Sequence, residues 1–484
     1  MDDMLHIIHE QGFKGKIWRL TKVINTDLTA KVKTKMGLTR EIKRVKGGKQ
    51  GGKLMVPLFS KLMDTLPDDL AENPNLGINI DDLIMSCLEY VDDVITFAIG
   101  YPQQESMLAA TNEFAVKRQM EWGQEKCQVM EVGSHKEKRD KWKLGSKTIE
   151  KCNKYKYLGE EISRDGKSKE NLIERFKKVK QTVRAVMSCG KSEVMKKIET
   201  KVLLQLHETV TLPTLLSNAE TWILDAEERK ETNKMEIWAL KQMIGLPVTT
   251  PTPAVIFATG SLYTSIRIDK VQLIYLHTLL NKEIGHWATK VLMTLNRNNL
   301  GWAKRINELL CNWTLETDWE TISKKSRIQW KIEVTTAAEK MNIKLLKEQC
   351  HIKEHGNTRQ KTKTKTILQK LDQNNYIRKP LEIMNHGSIL ATRALIMGRY
   401  GMLNCRANFS KGSGGKNCVM CNTVDDESHR INDCIIFREI NLYDSDERVD
   451  YDLLYSDDVR STLKVVKVIL KMWDLGHGKN AMRL

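Results

Sequence analysis

The sequence has 484 residues, of which 41% are hydrophobic and 29% charged, and its formal net charge is +17. This composition predicts several folded domains and excludes a disordered chain. The positive charge favours a polyanionic partner, with nucleic acid as the first candidate.

Targeting segments and disulfides are not expected. The acidic opening is unlike a signal peptide, and no stretch reaches the roughly 20 apolar residues of a membrane-spanning helix. Ten cysteines, mostly isolated, do not form a secreted disulfide framework. We therefore expect a soluble intracellular protein, and the sequence does not decide between nucleus and cytoplasm.

The first 165 residues predict a mixture of helices and short antiparallel strands. Apolar spacing and glycine or proline breaks place the helices, and alternation places the strands. The predicted elements are helices over residues 2–11 and 17–24, a basic hairpin over 31–45, a helix from Pro57, strands flanking Asp92 and Asp93, a helix over 103–124, and strands after residue 126.

From Lys169 onwards the pattern becomes almost entirely helical. One predicted helix face carries apolar residues at spacings of three and four: Leu172, Phe176, Val179, Val183 and Val186. Cations lie off that face: Arg175, Lys177, Lys178, Lys180 and Arg184. A solvated surface is the ordinary interpretation, and a phosphate-binding face is the second. The basic stretch Arg359–Lys370 allows the same two interpretations.

The stretch Tyr90-Val91-Asp92-Asp93 lies between two apolar runs. Nucleotidyl transfer uses two divalent cations held by carboxylates, and Mg²⁺ prefers such hard oxygen ligands. A tight turn between strands presents adjacent aspartates at a fixed position. Aspartate is also a favoured turn residue, so this pattern alone favours an ordinary hairpin turn.

A cluster of metal-ligand residues follows a glycine-rich segment near residue 412. The spacing Cys418-x2-Cys421-x7-His429-x4-Cys434 suits tetrahedral Zn²⁺. Chance clustering of reduced cysteines is the lesser alternative. Four protein ligands leave no open position for water, so the predicted site is structural. His207 on an apolar helix face is interpreted instead as a core histidine.

The order of these motifs resembles the reverse transcriptases of non-LTR (LINE-type) retrotransposons. The matching stretches are Gln50-Gly51-Gly52, Tyr90-Val91-Asp92-Asp93, Lys126–Val129 and Tyr157-Leu158-Gly159. The resemblance implies that Asp92 and Asp93 bind Mg²⁺ and that Gln50, Gly51, Gly52 and Tyr90 line the template and nucleotide site. It implies that Tyr157, Leu158 and Gly159 hold the primer, that RNA and DNA are the partners, and that the Cys418–Cys434 segment is the family's zinc finger.

The family's first catalytic motif and its fingers segment should lie just before residue 1, and the sequence lacks both. Met55 also replaces a small polar residue that usually follows the Gln-Gly motif. Two carboxylates on one turn cannot hold two Mg²⁺ ions in octahedral coordination. We therefore expect an N-terminally shortened enzyme that does not polymerise DNA alone.

The predicted fold is an α+β palm remnant, a mostly helical thumb and connection region, and a small zinc finger. The predicted domains are residues 1–165 (palm remnant), 166–310 (helical thumb-like region), 311–410 (helical basic connector), 411–440 (zinc finger) and 441–484 (acidic linker and terminal helix). The alternatives are a non-catalytic nucleic-acid-binding protein and an expressed fragment without function. No nuclease motif is evident, and the oligomeric state is unknown.

Overall fold

A computed structural model describes most of the chain and divides it into two compact units. Unit 1 comprises Met1–Lys167 and Ile284–Asn298, and unit 2 comprises Ser168–Glu283 and Asn299–Leu484. The described residues are 2–26, 28–43, 52–133, 140–166, 169–188, 198–354, 367–368, 371, 388–400, 417–418, 421–435, 449–455 and 458–477. The predicted domain boundaries stay predictions.

Unit 1 mixes helices with short strands, as the sequence predicts. Its described helices are α1 (Asp2–Glu10), α2 (Gly15–Asn25), α3 (Met55–Met63), α4 (Leu66–Ala71), α5 (Gly100–Lys117) and α12 (Trp287–Arg297). Its described strands are β1 (Thr29–Ala30), β2 (Lys33–Thr34), β3 (Gly37–Leu38), β4 (Ile42–Lys43), β5 (Ile78–Ile80), β6 (Leu83–Met85), β7 (Cys87–Tyr90), β8 (Asp93–Thr96), β9 (Gln128–Met130), β10 (Lys141–Leu144), β11 (Lys147–Cys152), β12 (Lys154–Tyr157) and β13 (Glu160–Ser163).

These strands form small sheets instead of one large one. The two-stranded pairs are β1–β4, β2–β3, β5–β6, β7–β8 and β12–β13, all antiparallel. The remaining sheet has the order β10-β11-β9, and β9 runs parallel to β11. The predicted apolar run before Asp92 divides into β6 and β7, and the predicted basic hairpin becomes the nested pairs β1–β4 and β2–β3.

The core of unit 1 lies against the helices that flank the β7–β8 hairpin. One cluster contains the buried residues Met63, Leu66, Leu70, Leu76, Met107 and Phe114. Cys87 of β7 and Val94 of β8 pack against it. The apolar spacing of α4 and α5 thus anchors one face of the hairpin, because burial of these side chains removes apolar surface from water.

Helix α2 reverses the usual orientation of an amphipathic helix. Its polar residues Thr21 and Asn25 are buried. Trp18 packs against the core, but the other apolar residues and the preceding phenylalanine face solvent: Phe13, Ile17, Leu20, Val23 and Ile24 are 42–72% exposed. Sequence periodicity locates the apolar stripe of a helix, but only tertiary packing decides whether that stripe is covered.

Unit 2 is mainly helical in its described residues. Its helices are α6 (Lys169–Ser188), α7 (Thr200–Leu206), α8 (Leu212–Leu216), α9 (Ala226–Ile244), α10 (Thr252–Thr259), α11 (Thr264–Leu280), α13 (Gly301–Asn312), α14 (Trp319–Lys324), α15 (Arg327–Glu354), α16 (Ile389–Arg399) and α17 (Val459–His477). Helix α9 begins at a capping box formed by Asp225 and Glu228 and ends at Gly245 in the left-handed conformation.

The apolar face predicted for α6 is confirmed. Leu172, Val179 and Val183 are buried, and Phe176 and Val186 pack against the same cluster. The expectation that Arg175 lies off this face is wrong. Arg175 is buried, and its guanidinium lies 5.9 Å from the Trp222 ring centre because the long side chain folds over the aromatic surface.

Two buried carboxylates tie the helices of unit 2 together. Asp269 of α11 accepts two hydrogen bonds from Arg229, at 2.7 and 2.6 Å, and one from Arg305 at 2.9 Å. Glu236 of α9 lies 3.4 Å from Nε2 of His207, and both residues are 1% exposed. The interpretation of His207 as a core histidine is therefore confirmed.

Several predicted features fall outside the described residues. They include Gln50 and Gly51, most of the basic stretch Arg359–Lys370, the glycines at 412, 414 and 415, and much of the acidic segment after residue 440. Within the described part of the chain, no helix is both long and apolar enough to cross a membrane.

Candidate active site and metal centre

The Asp92–Asp93 pair lies at the tip of the β7–β8 hairpin. Tyr90 pairs with Asp93 in the ladder, so Val91 and Asp92 form a two-residue turn. Val91 has a φ of 60°, which a β-branched residue adopts only at a cost. The tight turn fixes both carboxylates at the tip of a hairpin that packs one face, through Cys87 and Val94, against the core of unit 1.

The tip of this hairpin is open to solvent. Asp92 and Asp93 are exposed, and the Tyr90 side chain is 63% exposed. No third acidic, histidine or cysteine ligand among the described residues completes a metal-binding group with them. The turn therefore offers two carboxylates, which can bind a hard cation but leave most of its octahedral coordination unfilled.

The other predicted nucleotide-site residues are only partly described. Gln50 and Gly51 lie outside the described residues. Gly52 is half-buried, and its carbonyl accepts a hydrogen bond from the Met55 amide at 3.0 Å at the start of α3. The predicted roles of Gln50, Gly51, Gly52 and Tyr90 stay predictions.

The predicted primer-holding residues form a second tight hairpin. Tyr157 pairs with Glu160 in the ladder between β12 and β13. The two turn residues, Leu158 and Gly159, have φ values of 48° and 85°. Positive φ at both central positions is the pattern of a type I′ turn, which matches the right-handed twist of the strands.

The electrostatic surroundings of Tyr157 connect the two hairpins. Burial raises the pKa of the Tyr157 phenol above its usual range, and the charges of Asp93, Cys87 and Glu89 raise that pKa further. The structure therefore brings the predicted primer residue Tyr157 within electrostatic range of the predicted catalytic residue Asp93.

Glu89 is an acidic residue of the β7–β8 hairpin that sequence reasoning missed. Burial raises the pKa of Glu89 to about 7, and the nearby Asp64 and Asp68 contribute to the increase. One carboxylate oxygen of Glu89 is buried without a hydrogen-bond partner. Its place beside Tyr90 in the sequence was visible, but its nearness to Asp64 and Asp68 depends on how the α3–α4 segment packs.

The cysteine–histidine cluster assembles as its spacing predicts. One possible ligand atom from each of Cys418, Cys421, His429 and Cys434 lies within 4.8 Å of the other three. The Sγ atom of Cys434 lies 3.9 Å from that of Cys418 and 4.0 Å from that of Cys421. Tetrahedral zinc with bonds of about 2.3 Å to sulfur places two sulfurs about 3.8 Å apart. The thiol geometry therefore fits zinc.

The His429 side chain is oriented so that it can be the fourth ligand. This residue is 6% exposed, and its Nε2 is buried without a hydrogen-bond partner. Its Nδ1 lies 3.0 Å from Oγ1 of Thr423. A hydrogen bond at one ring nitrogen fixes the ring and leaves the other nitrogen available for a metal. Nε2 of His429 is thus the atom that would bind zinc.

Polar contacts of the surrounding segment hold these ligands in place. The Cys418 amide donates to the Thr423 carbonyl at 2.7 Å, and the His429 amide donates to Asp426 at 2.8 Å. Arg430 forms a bidentate salt bridge with the buried Asp425: its Nε donates to Oδ1 and its Nη2 donates to Oδ2, each at 2.7 Å. Such a planar pair fixes geometry as well as charge. These supporting residues carry no spacing signal in the sequence.

The comparisons with known proteins bear on the first of these two sites. The family model described as Reverse transcriptase (RNA-dependent DNA polymerase) matches residues 2–162 of the 484. The matched range contains the β7–β8 hairpin with its Asp92–Asp93 turn and all but the last residue of the β12–β13 hairpin, and it supports a reverse transcriptase. Comparison with curated proteins gave no match.

Proposed function

We propose that the chain is the reverse transcriptase portion of a non-LTR (LINE-type) retrotransposon. The observation that carries this proposal is the tight turn that presents Asp92 and Asp93 within the matched range 2–162. The order of the Gln50–Gly52, Tyr90–Asp93 and Tyr157–Gly159 stretches supports the LINE-type assignment. The expected nucleic-acid partners are an RNA template and a DNA primer.

Within this proposal, each of these stretches has its own role. If the site is part of an active polymerase, Asp92 and Asp93 would hold Mg²⁺, which when bound would activate the primer hydroxyl and neutralise the triphosphate. Gln50 to Gly52 and Tyr90 line the template and nucleotide site. Tyr157 to Gly159 hold the primer end, as the resemblance implies, and the charge of Asp93 acts on the Tyr157 phenol by raising its pKa.

We further propose that the 484-residue chain does not extend a primer by itself. Two exposed carboxylates on one turn are too few to hold two Mg²⁺ ions, and no third ligand joins them among the described residues. A primer-extension assay on the purified chain, with Asp92→Ala as control, tests this. Template-dependent extension that the substitution abolishes would overturn the proposed inactivity and support the family assignment.

The cysteine–histidine cluster is proposed to be a structural zinc finger. Three sulfurs with tetrahedral spacing and the buried Nε2 of His429 support this role. Zinc would fix the fold of the segment, because Ile431 is the one buried apolar side chain besides the ligand Cys434 among the described residues 417–418 and 421–435. In the LINE-type proteins that this chain resembles, such a finger is implicated in handling nucleic acid.

The second candidate is a nucleic-acid-binding protein without catalysis. The observation that favours it is the outer surface of α6, where Lys177 and Arg184 are exposed on a chain of net charge +17. Binding to a labelled oligonucleotide that weakens steeply as salt rises would support it. Indifference to nucleic acid would exclude both candidates and leave a fragment without function.

A further inference from the structure

Helix α12 and the β5–β6 hairpin of unit 1 meet through a compact polar contact. Lys290, Thr294 and Arg297 lie at spacings of four and three and therefore share one face of the helix. The hairpin presents Asp81 and Asp82, the two residues of its turn. Nζ of Lys290 lies 2.8 Å from Oδ2 of Asp82, and both Thr294 and Arg297 donate to Oδ2 of Asp81.

This contact is open to solvent. The side chains of Asp82 and Arg297 are 74% and 66% exposed, and those of Asp81 and Lys290 are 37% and 33% exposed. Ion pairs in such surroundings contribute little to stability and are screened by salt. Stabilising unit 1 is therefore a weak explanation for two cations and a hydroxyl that converge on two acids.

The donor set matches a different anion. Lysine, arginine and threonine side chains on one helix face are the groups that contact phosphate oxygens in nucleic-acid complexes. Asp81 has a φ of 54°, a conformation that aspartate tolerates better than most residues, and it places both acids at the hairpin tip. The two carboxylates thus present acceptor oxygens to donors that suit a phosphodiester.

We propose that Lys290, Thr294 and Arg297 form a binding face for the phosphodiester backbone, and that Asp81 and Asp82 occupy this face until a polyanion displaces them. The proposal rests on the nucleic-acid binding proposed above. It adds a phosphate-binding site outside the motifs around Asp92, and it adds two aspartates that block this site in the absence of nucleic acid. The weakness of the exposed pairs is what allows a dense phosphate chain to compete with two carboxylates.

The test uses the full chain with Asp81→Asn and Asp82→Asn together. These substitutions remove the two charges that compete with phosphate. Affinity for a fluorescein-labelled single-stranded oligonucleotide, measured by anisotropy over a series of salt concentrations, should rise several-fold. The slope of log affinity against log salt concentration should become more negative by about 1 to 2. Lys290 and Arg297 can then each neutralise a phosphate, and each neutralised phosphate releases about one counterion from the oligonucleotide.

The matched control changes the net charge equally without uncovering this face. Glu121→Gln with Glu125→Gln removes two exposed acids of the same unit. Adding Lys290→Gln and Arg297→Gln to the Asp81→Asn, Asp82→Asn variant should cancel its gain. If circular dichroism shows that the Asp81→Asn, Asp82→Asn variant is poorly folded, Asp82→Asn alone can be used. It uncovers Lys290 and should still give a smaller gain in affinity for the oligonucleotide.

Two outcomes separate this inference from the function on which it rests. If wild type binds but the Asp81→Asn, Asp82→Asn variant binds no tighter than the glutamate control, the contact is only structural and the inference is wrong. If neither wild type nor any folded variant binds RNA or DNA, the proposed nucleic-acid function fails as well.

Discussion

The Sγ atoms of Cys418 and Cys434 lie 3.9 Å apart, although sixteen positions separate the two residues in the chain. This distance is too long for a disulfide and close to the edge of a tetrahedral zinc–thiolate site. The remaining two ligand residues, Cys421 and His429, lie within the same 4.8 Å group. The segment therefore has the geometry of a metal site before any metal is considered.

Zinc content is the first prediction. Purified protein should contain about one zinc per chain, because three thiolates and an imidazole fill a tetrahedral site. Elemental analysis measures this. Cys421→Ser should lose the metal. Cys311→Ser changes an exposed cysteine that lies outside the Cys418–Cys434 segment, and this variant should keep the metal. Equal zinc in both variants would contradict the assignment.

The hydrogen bond between Thr423 and His429 gives a second prediction. Thr423→Val keeps the shape of the side chain but removes the hydroxyl 3.0 Å from Nδ1. We expect zinc affinity to fall about 10-fold, as for other residues that orient a metal-binding histidine. Competition with a chromogenic chelator measures the affinity. Thr335→Val, which removes a hydroxyl that donates to the Lys331 carbonyl within α15, serves as the control and should leave the zinc affinity unchanged.

The turn at Val91 gives a prediction about stability. Val91→Gly removes a β-branched side chain from a left-handed conformation and should raise the free energy of unfolding by about 1 kcal/mol. Chemical denaturation measures the change. The control is Val94→Gly, which changes the same residue type in the following strand, where it packs against the core. Val94→Gly should be less stable than wild type. If Val91→Gly is also less stable than wild type, the turn carries no strain.

The raised pKa of Glu89 predicts how stability depends on pH. Burial, with Asp64 and Asp68, raises the pKa to about 7 from 4.5. The folded chain therefore holds this proton more tightly than the unfolded chain, so the contribution of Glu89 to stability falls as pH rises from about 4.5 to about 7. Glu89→Gln should then be more stable than wild type above that range, by about 1 kcal/mol after allowing for solvent screening.

Denaturation curves on both sides of that pH range measure the difference between Glu89→Gln and wild type. Below pH 4.5 the two proteins should have nearly equal stability, because Glu89 is then neutral in both states. Glu125→Gln, an exposed change in the same unit, serves as the control for the loss of one carboxylate. A difference that is independent of pH would contradict the proposed cause.

The buried Glu236 predicts the opposite pH dependence. Burial alone would raise the pKa of Glu236, but Arg267, His207 and Thr264 outweigh it and hold the pKa below its ordinary value of 4.5. The stability that the carboxylate contributes is therefore complete above about pH 4.5 and is lost as pH falls through the lowered pKa. Glu236→Gln should lower the free energy of unfolding by about 3 kcal/mol near neutral pH, because it leaves buried partners without their counter-charge.

Chemical denaturation at several pH values checks this prediction for Glu236→Gln. Its deficit should shrink under acid conditions, where wild type also loses the charge. The control is Glu320→Gln, which breaks an exposed pair with Lys324 and should change stability little. A constant deficit at all pH values would indicate lost packing instead of lost charge.

Local pattern predicted the features that depend on neighbours in sequence. The apolar face of α6, the turn at Asp92 and the four residues of the thiol–imidazole cluster all follow from spacing or turn chemistry. The match of residues 2–162 supports the reverse transcriptase prediction. The LINE-type assignment and the roles of individual site residues stay predictions.

Contacts over long sequence distances could not be predicted in this way. The burial of Arg175 beside Trp222 and the pairing of Lys290 with Asp82 each depend on how separate elements pack. The raised pKa of Glu89 has the same origin, because a desolvated carboxyl carries no signature in the sequence. Helix periodicity likewise placed an apolar stripe on α2 but could not reveal that it faces outward.

The outward stripe of α2 determines how the protein will behave during purification. Its exposed apolar residues are flanked by Lys16, Arg19 and Lys22, so copies of the chain repel one another at low ionic strength. Concentrated salt, the usual means of stripping nucleic acid from a basic protein, screens this repulsion and strengthens hydrophobic association. We therefore expect the protein to precipitate during the high-salt step that removes nucleic acid. A mild detergent or a Leu20→Gln substitution should keep the protein in solution at that step.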